Sequence, residues 1–460
     1  MILPSGFKKN IVSQWGQTSW EQLENAIQKP PATSVRLHPI KQKFVTLEGS
    51  PVPWCPFGLY LSERPVFTLD PSFHGGGYYV QEAASMFLWF VLEKLTGSNK
   101  EITVLDLCAA PGGKSSLIAS FLDHHGLLVS NEVIKNRAYI LKSNIEKSGY
   151  HNVVVTQNDP KDFQNVPEFF DIILVDAPCS GEGMFRKDTA SIHEWSEDNV
   201  ELCSARQKRI VADVLPALKN GGYLLYSTCT YNDFENIDNI VWASDHLPLE
   251  NVALDIPDFY NVLPIHKKGK TGYQFAPHLQ NSEGLFFSVL QKQQKQESGK
   301  IKTTKSFVKV PNKSIPVLKK YSDSIMEPVY FFDPNEEVHL FPAPYFELVN
   351  VLYNKCRIIY CGINMGRLIK EELIPNHSLA LYILLSEYLQ KVDLPLVQSL
   401  EFLQKSLNDI SSDEKGWLLI TYRNLGLGWV KNLGNRVNNY LPNEAKIRMD
   451  IHKNMDKEFM

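Results

Sequence analysis

Short apolar runs and amphipathic stretches take turns through the middle of this chain. VLDLC (104–108), LLVSNE (127–132), NVVVTQND (152–159), FDIILVDAP (170–178) and GGYLLYSTCT (221–230) are compact and rich in β-branched residues. Runs of this length, bounded by turn residues, predict buried strands. Helical spacing of apolar positions appears between several of them, at 135–147 and 206–219. Such alternation predicts a parallel sheet with helices on both faces, an α/β, Rossmann-like doubly wound domain over 93–292. The run GLFFSVLQK (284–292) predicts a late strand that closes it.

The flanks read differently. Residues 1–92 predict a mixed α+β extension, with an amphipathic helix over 17–28 and a loop at Pro51, Pro53, Pro56 and Gly58. A glycine turn then passes into a helix across 73–87. A basic linker and small connecting domain are expected over 293–355. The stretch 291–320 sets Lys292, Lys295, Lys300, Lys302, Lys305, Lys309, Lys313, Lys319 and Lys320 against one acid, Glu297. It reads either as a solvated tether or as a phosphate contact. Over 356–460 a further ordered region is expected: strands at 356–366, helix near 378–390, and strands with glycine turns at 416–442.

Composition narrows the classes. A chain of 460 residues implies roughly three domains. The net charge of −4 means that any nucleic-acid surface must be local. Seven scattered cysteines, none in C-x-x-C spacing, argue against a disulfide framework and a zinc site, so no metal is expected. The first residues lack the apolar core of a signal peptide, and the longest apolar runs are too short to span a bilayer. A cytoplasmic, monomeric protein is expected.

The chemistry clusters at strand ends. Cys108, Ala109, Ala110, Pro111, Gly112, Gly113 and Lys114 form a glycine turn between a strand and a helix. A phosphate-cradling G-x-x-x-x-G-K-[ST] loop would need glycine where Cys108 stands, and the G-x-G-x-x-G fingerprint is absent. This leaves an S-adenosyl-L-methionine site. Glu132 stands where the ribose hydroxyls need an acid, Asp159 where adenine needs a polar contact, and Asp176 ends a further strand. Each acid alone has a bland reading as a solvated group or a helix cap. Cys179 in DAPCSG and Cys229 in YSTCT follow apolar runs. A thiolate added to C6 of cytosine makes C5 nucleophilic enough to accept a methyl group, and a second thiol helps release the product. The competing reading, buried small hydrophobes, is kept for Cys108, Cys203, Cys356 and Cys361. Lys114 is a candidate source of positive charge for the thiolate.

AAPGGK, DAPCSG and STCT in this order resemble the RNA cytosine-5 methyltransferases of the Sun/NOP family. The resemblance implies Cys229 as nucleophile and Cys179 as the release thiol. It places 108–114, Glu132, Arg137, Asp159 and Asp176 around S-adenosyl-L-methionine, with Lys114 and Asp176 also facing the base. LPSGFKKN, HGGGYYVQEAASM and LGWVKNLGNRVNNYLP resemble the RsmF branch, which modifies 16S ribosomal RNA and ends in a PUA-like RNA-binding module. RNA of the small ribosomal subunit is the implied partner. Phe73, Tyr78, Tyr79, Phe185, Arg186 and Lys187 are candidates for the path of a flipped base, or else core and solvated surface. Lys431, Arg436, Lys446 and Arg448, with Lys8 and Lys9, are candidates for phosphate contacts. A non-catalytic RNA-binding assembly factor on the same scaffold is the alternative.

Overall fold

The computed structural model describes residues 2–293, 303–322, 327–407, 409–451 and 453. Five parallel strands form its centre: β1 (Thr103–Asp106), β2 (Leu127–Asn131), β3 (Val153–Thr156), β4 (Phe170–Asp176) and β5 (Leu218–Thr228). They lie in the order β3-β2-β1-β4-β5. Successive residues alternate between two apolar cores, as the pleat requires. Val104, Leu128, Val155, Ile172 and Leu225 pack on one face with the helix Phe87–Thr96. Leu105, Val129, Val154, Ile173 and Leu224 pack on the other. Burial on both faces explains why these strands read as continuous apolar runs.

Antiparallel strands extend the sheet at both edges. Leu285–Lys292 pairs with β5, setting Phe286 opposite Thr228, and a hairpin of Lys270–Phe275 with Leu263–Lys267 follows. At the far edge Ile358–Cys361, from well down the chain, pairs with β3. Asp106, Asn131, Thr156, Asp176 and Thr228 end the five parallel strands, so the loops that follow share one rim. That rim is where open α/β sheets bind ligands.

Two helices, Ser5–Trp15 and Gln17–Ile27, precede a small four-stranded sheet that ends with Tyr78–Val80. The C-terminal region holds a five-stranded sheet and a four-stranded sheet, the latter built on Gly416–Tyr422 and Leu425–Asn432. Two buried cations tie these regions to the core. Arg36 donates to Gln81 Oε1 (2.8 Å), Ser116 Oγ (2.7 Å) and Ser120 Oγ (3.1 Å). Lys41 Nζ donates to the carbonyls of Gly75 (3.1 Å), Lys147 (3.2 Å) and Leu381 (2.8 Å), which come from three separate parts of the chain. Among the described residues no helix is long and apolar enough to cross a membrane.

Three expectations need correction. The helix expected over 206–219 runs instead from Glu197 to Val214. Ser196 caps its start by accepting from Asn199 N (3.1 Å), and Pro216 follows its end. The helix expected near 378–390 shrinks to His377–Ala380, because Leu379, Ala380, Leu381 and Tyr382 are all buried and no exposed face is left. Lys292 is not a linker cation. It is 3% exposed at the end of the closing strand and donates to the carbonyls of Leu215 (3.3 Å) and Leu218 (2.6 Å). Lys295, Glu297, Lys300 and Lys302 lie outside the described residues.

Candidate functional site: a sulfur pair at the strand rim

The turn after β1 is tight because its residues demand it. Gly112 takes φ +114° just before the helix Gly113–Leu122, in the left-handed region that favours glycine. A Cβ there would stand 3.2 Å from Leu141 Cδ1. The turn is held to its neighbours by Ala109 N donating to Asn131 O (2.8 Å) and Arg137 Nη2 donating to Ala110 O (2.9 Å). Lys114, on the first turn of that helix, reaches across to Asp176 at the end of β4, with Nζ 2.8 Å from Oδ2. Ser227 Oγ donates to the other carboxylate oxygen at 2.6 Å. Burial works against the Lys114 ammonium, but Asp176 outweighs it and the net displacement is upward.

Beyond Asp176 and Thr228 the chain turns twice more, and the two turns bring Cys179 Sγ within 2.9 Å of Cys229 Sγ. Cys229 N also lies 3.3 Å from Cys179 Sγ. Both residues are partly buried. The Cys179 thiol is held well above its ordinary range, first by the Cys229 sulfur and then by burial. Lys114 feels the charge of Cys229, so cation and sulfur share one locality. A thiolate beside an ammonium is the arrangement nucleophilic sulfur needs.

The remaining acids take varied positions. Glu132 is 3% exposed; its Oε1 accepts from Ile134 N (3.0 Å) and its Oε2 lies 3.3 Å from Arg137 Nη1. Asp159 caps the short turn after β3, accepting from Lys161 N (3.1 Å) in a capping box with Asp162. Asp106 is a group that sequence reasoning passed over. It is fully buried, one oxygen accepts from Ser115 Oγ (2.6 Å), and Oδ1 has no partner. Burial pushes its carboxyl up to about 7. A lone acid inside the apolar run VLDLC was the available signal.

Residues 93–291 match the model of the 16S rRNA methyltransferase RsmB/F family. Residues 3–83 match the N-terminal domain of 16S rRNA methyltransferase RsmF, and 387–447 match the RsmF PUA domain. A ribosomal RNA small subunit methyltransferase F from Shewanella loihica is 30% identical over 445 residues, covering 90% of this chain and 89% of its own. One from Aeromonas hydrophila is 30% identical over 96% of this chain and 97% of its own.

This chain belongs to the RsmF methyltransferases.

Solved structures share the methyltransferase fold of this RsmF chain. A methyltransferase homologue from Pyrococcus horikoshii is 27% identical with a TM-score of 0.53, over 62% of this chain and 93% of that one. NSun6 from the same organism, solved with SFG, shares the fold: TM-score 0.54 at 19% identity, over 64% of this chain and 99% of that one.

Several candidates for the RNA path in this RsmF chain sit elsewhere. Phe185 is fully buried and packs edge-on against Phe7 at 5.1 Å between ring centroids, and Tyr78 is also core. Arg186 is committed to Glu283 through Nε (2.9 Å) and Nη2 (2.7 Å), with Lys187 3.6 Å from the same carboxylate. Phe73 and Tyr79 are half-buried. Lys431 pairs with Glu372 at 2.9 Å, whereas Lys8, Lys9, Arg436, Lys446 and Arg448 are exposed.

Proposed function

We propose that this chain transfers a methyl group from S-adenosyl-L-methionine to C5 of a cytosine in RNA, with 16S ribosomal RNA as substrate, through a transient bond between Cys229 and C6. The observation that carries this reading is the sulfur pair, 2.9 Å apart at the ends of adjacent strands and beside the Lys114–Asp176 ion pair. The names of the relatives and the match to a PUA domain support RNA of the small ribosomal subunit as partner. A purely structural assembly factor has no use for two apposed thiols.

The rim suits the cofactor. A buried carboxylate with an unpartnered oxygen, as at Asp106, favours a cationic ligand. The turn of Cys108, Ala109, Ala110, Pro111, Gly112, Gly113 and Lys114 would line the cofactor. Glu132, oriented by Arg137, would take the ribose hydroxyls, Asp159 the adenine side, and Asp176 the side nearest the base. When bound, the cofactor supplies an electrophilic methyl carbon.

The protein's part is to make C5 reactive. The Cys229 thiolate forms the S–C6 bond, and the ring electrons move toward C5. The Lys114 ammonium, oriented by Asp176, stabilises the negative charge that builds along the N3 edge. After C5 is methylated a base takes its proton, the electron pair re-forms C5=C6, and the S–C6 bond breaks to return the thiolate. Cys179 assists this last step. The base must leave its stack to reach the sulfur. Residues 1–92 and 356–460 grip the RNA, with 293–355 connecting the methyltransferase domain to the latter. The enzyme works as a monomer and needs no metal.

Cys229→Ala is expected to abolish methyl transfer to 16S RNA while cofactor binding persists in calorimetry. Cys179→Ala is expected to accumulate a heat-stable protein–RNA adduct on denaturing gels. Full methyl transfer by Cys229→Ala would overturn the assignment. Bisulfite sequencing of 16S RNA from cells with and without the protein locates the cytosine.

A further inference from the structure

Two carboxylates that the proposed reaction does not use lie buried against the cysteine turns. Glu235, fully buried, follows Cys229 in the chain but serves the other turn. It accepts from Ser180 N (3.0 Å) and Ser180 Oγ, the residue next to Cys179. It also accepts from Gln207 Nε2 (2.8 Å), which donates in turn to Pro178 O (3.0 Å) on the far side of Cys179. Asn232 Nδ2 (2.8 Å) completes the set. Glu182 does the reverse. It follows Cys179 yet accepts from Thr230 Oγ1 (2.6 Å), Tyr231 N (2.9 Å) and Asn232 N (3.0 Å), just past Cys229. Its other oxygen accepts from Trp195 Nε1 (3.0 Å). Each turn thus lends an acid that holds the other, a reciprocal clasp around the sulfur pair. Burial lifts the Glu235 carboxyl above its ordinary range, and the hydrogen bonds from Ser180 and Asn232 pull it back toward the charged form.

The clasp is electrically lopsided. Glu235 is bonded directly to the Cys179 turn, and its charge acts on Cys179, Cys203 and Tyr226. Glu182 is its acidic neighbour. The ammonium of Lys114, paired with Asp176, is itself favoured by Cys229, so the cation lies on the Cys229 side. One backbone dipole opposes this trend, Cys229 N–H toward Cys179 Sγ, and a dipole is weaker than a full buried charge.

We propose that Glu235 is a positioning residue: it fixes the Cys179 turn against Cys229 and, as a negative charge on the Cys179 side, keeps the shared proton on Cys179, so that Cys229 is the sulfur that ionises. The inference deepens the reading of Cys229 as the attacking atom and rests on it. It explains how two sulfurs in contact take different roles.

The test is iodoacetamide labelling of the full chain from pH 6 to 10, without RNA or methyl donor, with initial rates read peptide by peptide. Each event forms an S–C bond from a thiolate and expels iodide, so the rate reports ionisation. In the native protein Cys229 is expected to react at least about tenfold faster than Cys179 at neutral pH, one pKa unit being a factor of ten. Glu235→Gln, folded by circular dichroism, is expected to move the Cys179 profile to lower pH and to cut that preference about tenfold. A merely structural acid would leave the profile in place. An unchanged ratio in folded Glu235→Gln overturns the proposal. So does a native protein in which Cys179 reacts first or equally, a result that needs no variant. If labelling follows the expected order but Cys229→Ala still methylates RNA, the clasp stands and the nucleophile assignment falls.

Discussion

Replacing Lys41 with methionine probes how the three parts of the chain are joined. Burial, and secondarily Lys147, hold the Lys41 ammonium at about 7 instead of 10.5. Between these values the unfolded chain binds a proton that the folded chain gives up, so stability rises with pH across that window. From pH 7 to pH 9 the folded amine goes from half protonated to nearly neutral while the unfolded one stays charged. At about 1.4 kcal/mol per pH unit for a full proton, the gain is roughly 2 kcal/mol. Lys41→Met removes this increment. It also leaves the carbonyls of Gly75, Lys147 and Leu381 without their donor, at about 1–3 kcal/mol each. Relief from burying a cation offsets that loss at pH 7 but much less at pH 9. Urea unfolding followed by tryptophan fluorescence, on both proteins at both pH values, isolates the difference and cancels the titrations that do not depend on Lys41. The native protein is expected to gain roughly 2 kcal/mol more than the variant between pH 7 and 9. Equal gains would refute the claim that this amine is buried and titrates near neutrality.

Other outcomes follow from the same reasoning. Asp106 keeps its proton up to about 7 when folded and releases it near 3.8 when unfolded, so stability falls as pH rises between those values. Asp106→Asn should flatten that fall by up to roughly 4 kcal/mol in urea titrations, and an identical profile would count against it. If a cationic cofactor settles on Asp106, its binding near pH 6.5 should expel a proton, seen as a calorimetric heat that varies with the buffer's ionisation enthalpy. Gly426→Ala puts a Cβ 2.1 Å from Ala380 O, a backbone atom that cannot step aside. A loss of about 1–3 kcal/mol is expected in thermal melts, and an unchanged melting temperature would contradict this packing.

The parallel core was legible because its strands are buried on both faces, so their apolar runs carry no ambiguity of phase. The glycine turn and the two cysteines were legible because each stands just past such a run. Glu182 and Glu235 were not. A carboxylate in sequence looks solvated, and only the folded path of the two cysteine turns shows each acid enclosed by donors from the other. Phe185 and Tyr78 were ambiguous for a related reason: an aromatic beside a reactive motif looks the same whether it lines a cleft or fills the core beneath it. Lys292 misled because its neighbours in sequence are cations, whereas its neighbours in space are carbonyls at the start of β5. The segment after His377 offered apolar spacing without polar gaps, and complete burial satisfies that pattern without a helix.

The strand Ile358–Cys361 covers the far edge of the catalytic sheet by pairing with β3. Arg357 beside it accepts from Gln157 N (3.0 Å) and donates from its own backbone to Asn158 Oδ1 (2.9 Å), immediately before Asp159. Shortening the gene to its methyltransferase portion would therefore do more than discard an RNA grip. It would strip β3 of its outer partner and leave a bare ladder of amides prone to stick to other copies. It would also free the loop that carries Asp159. The tail is thus part of the scaffold of the catalytic half, and a minimal enzyme would have to retain it through Cys361.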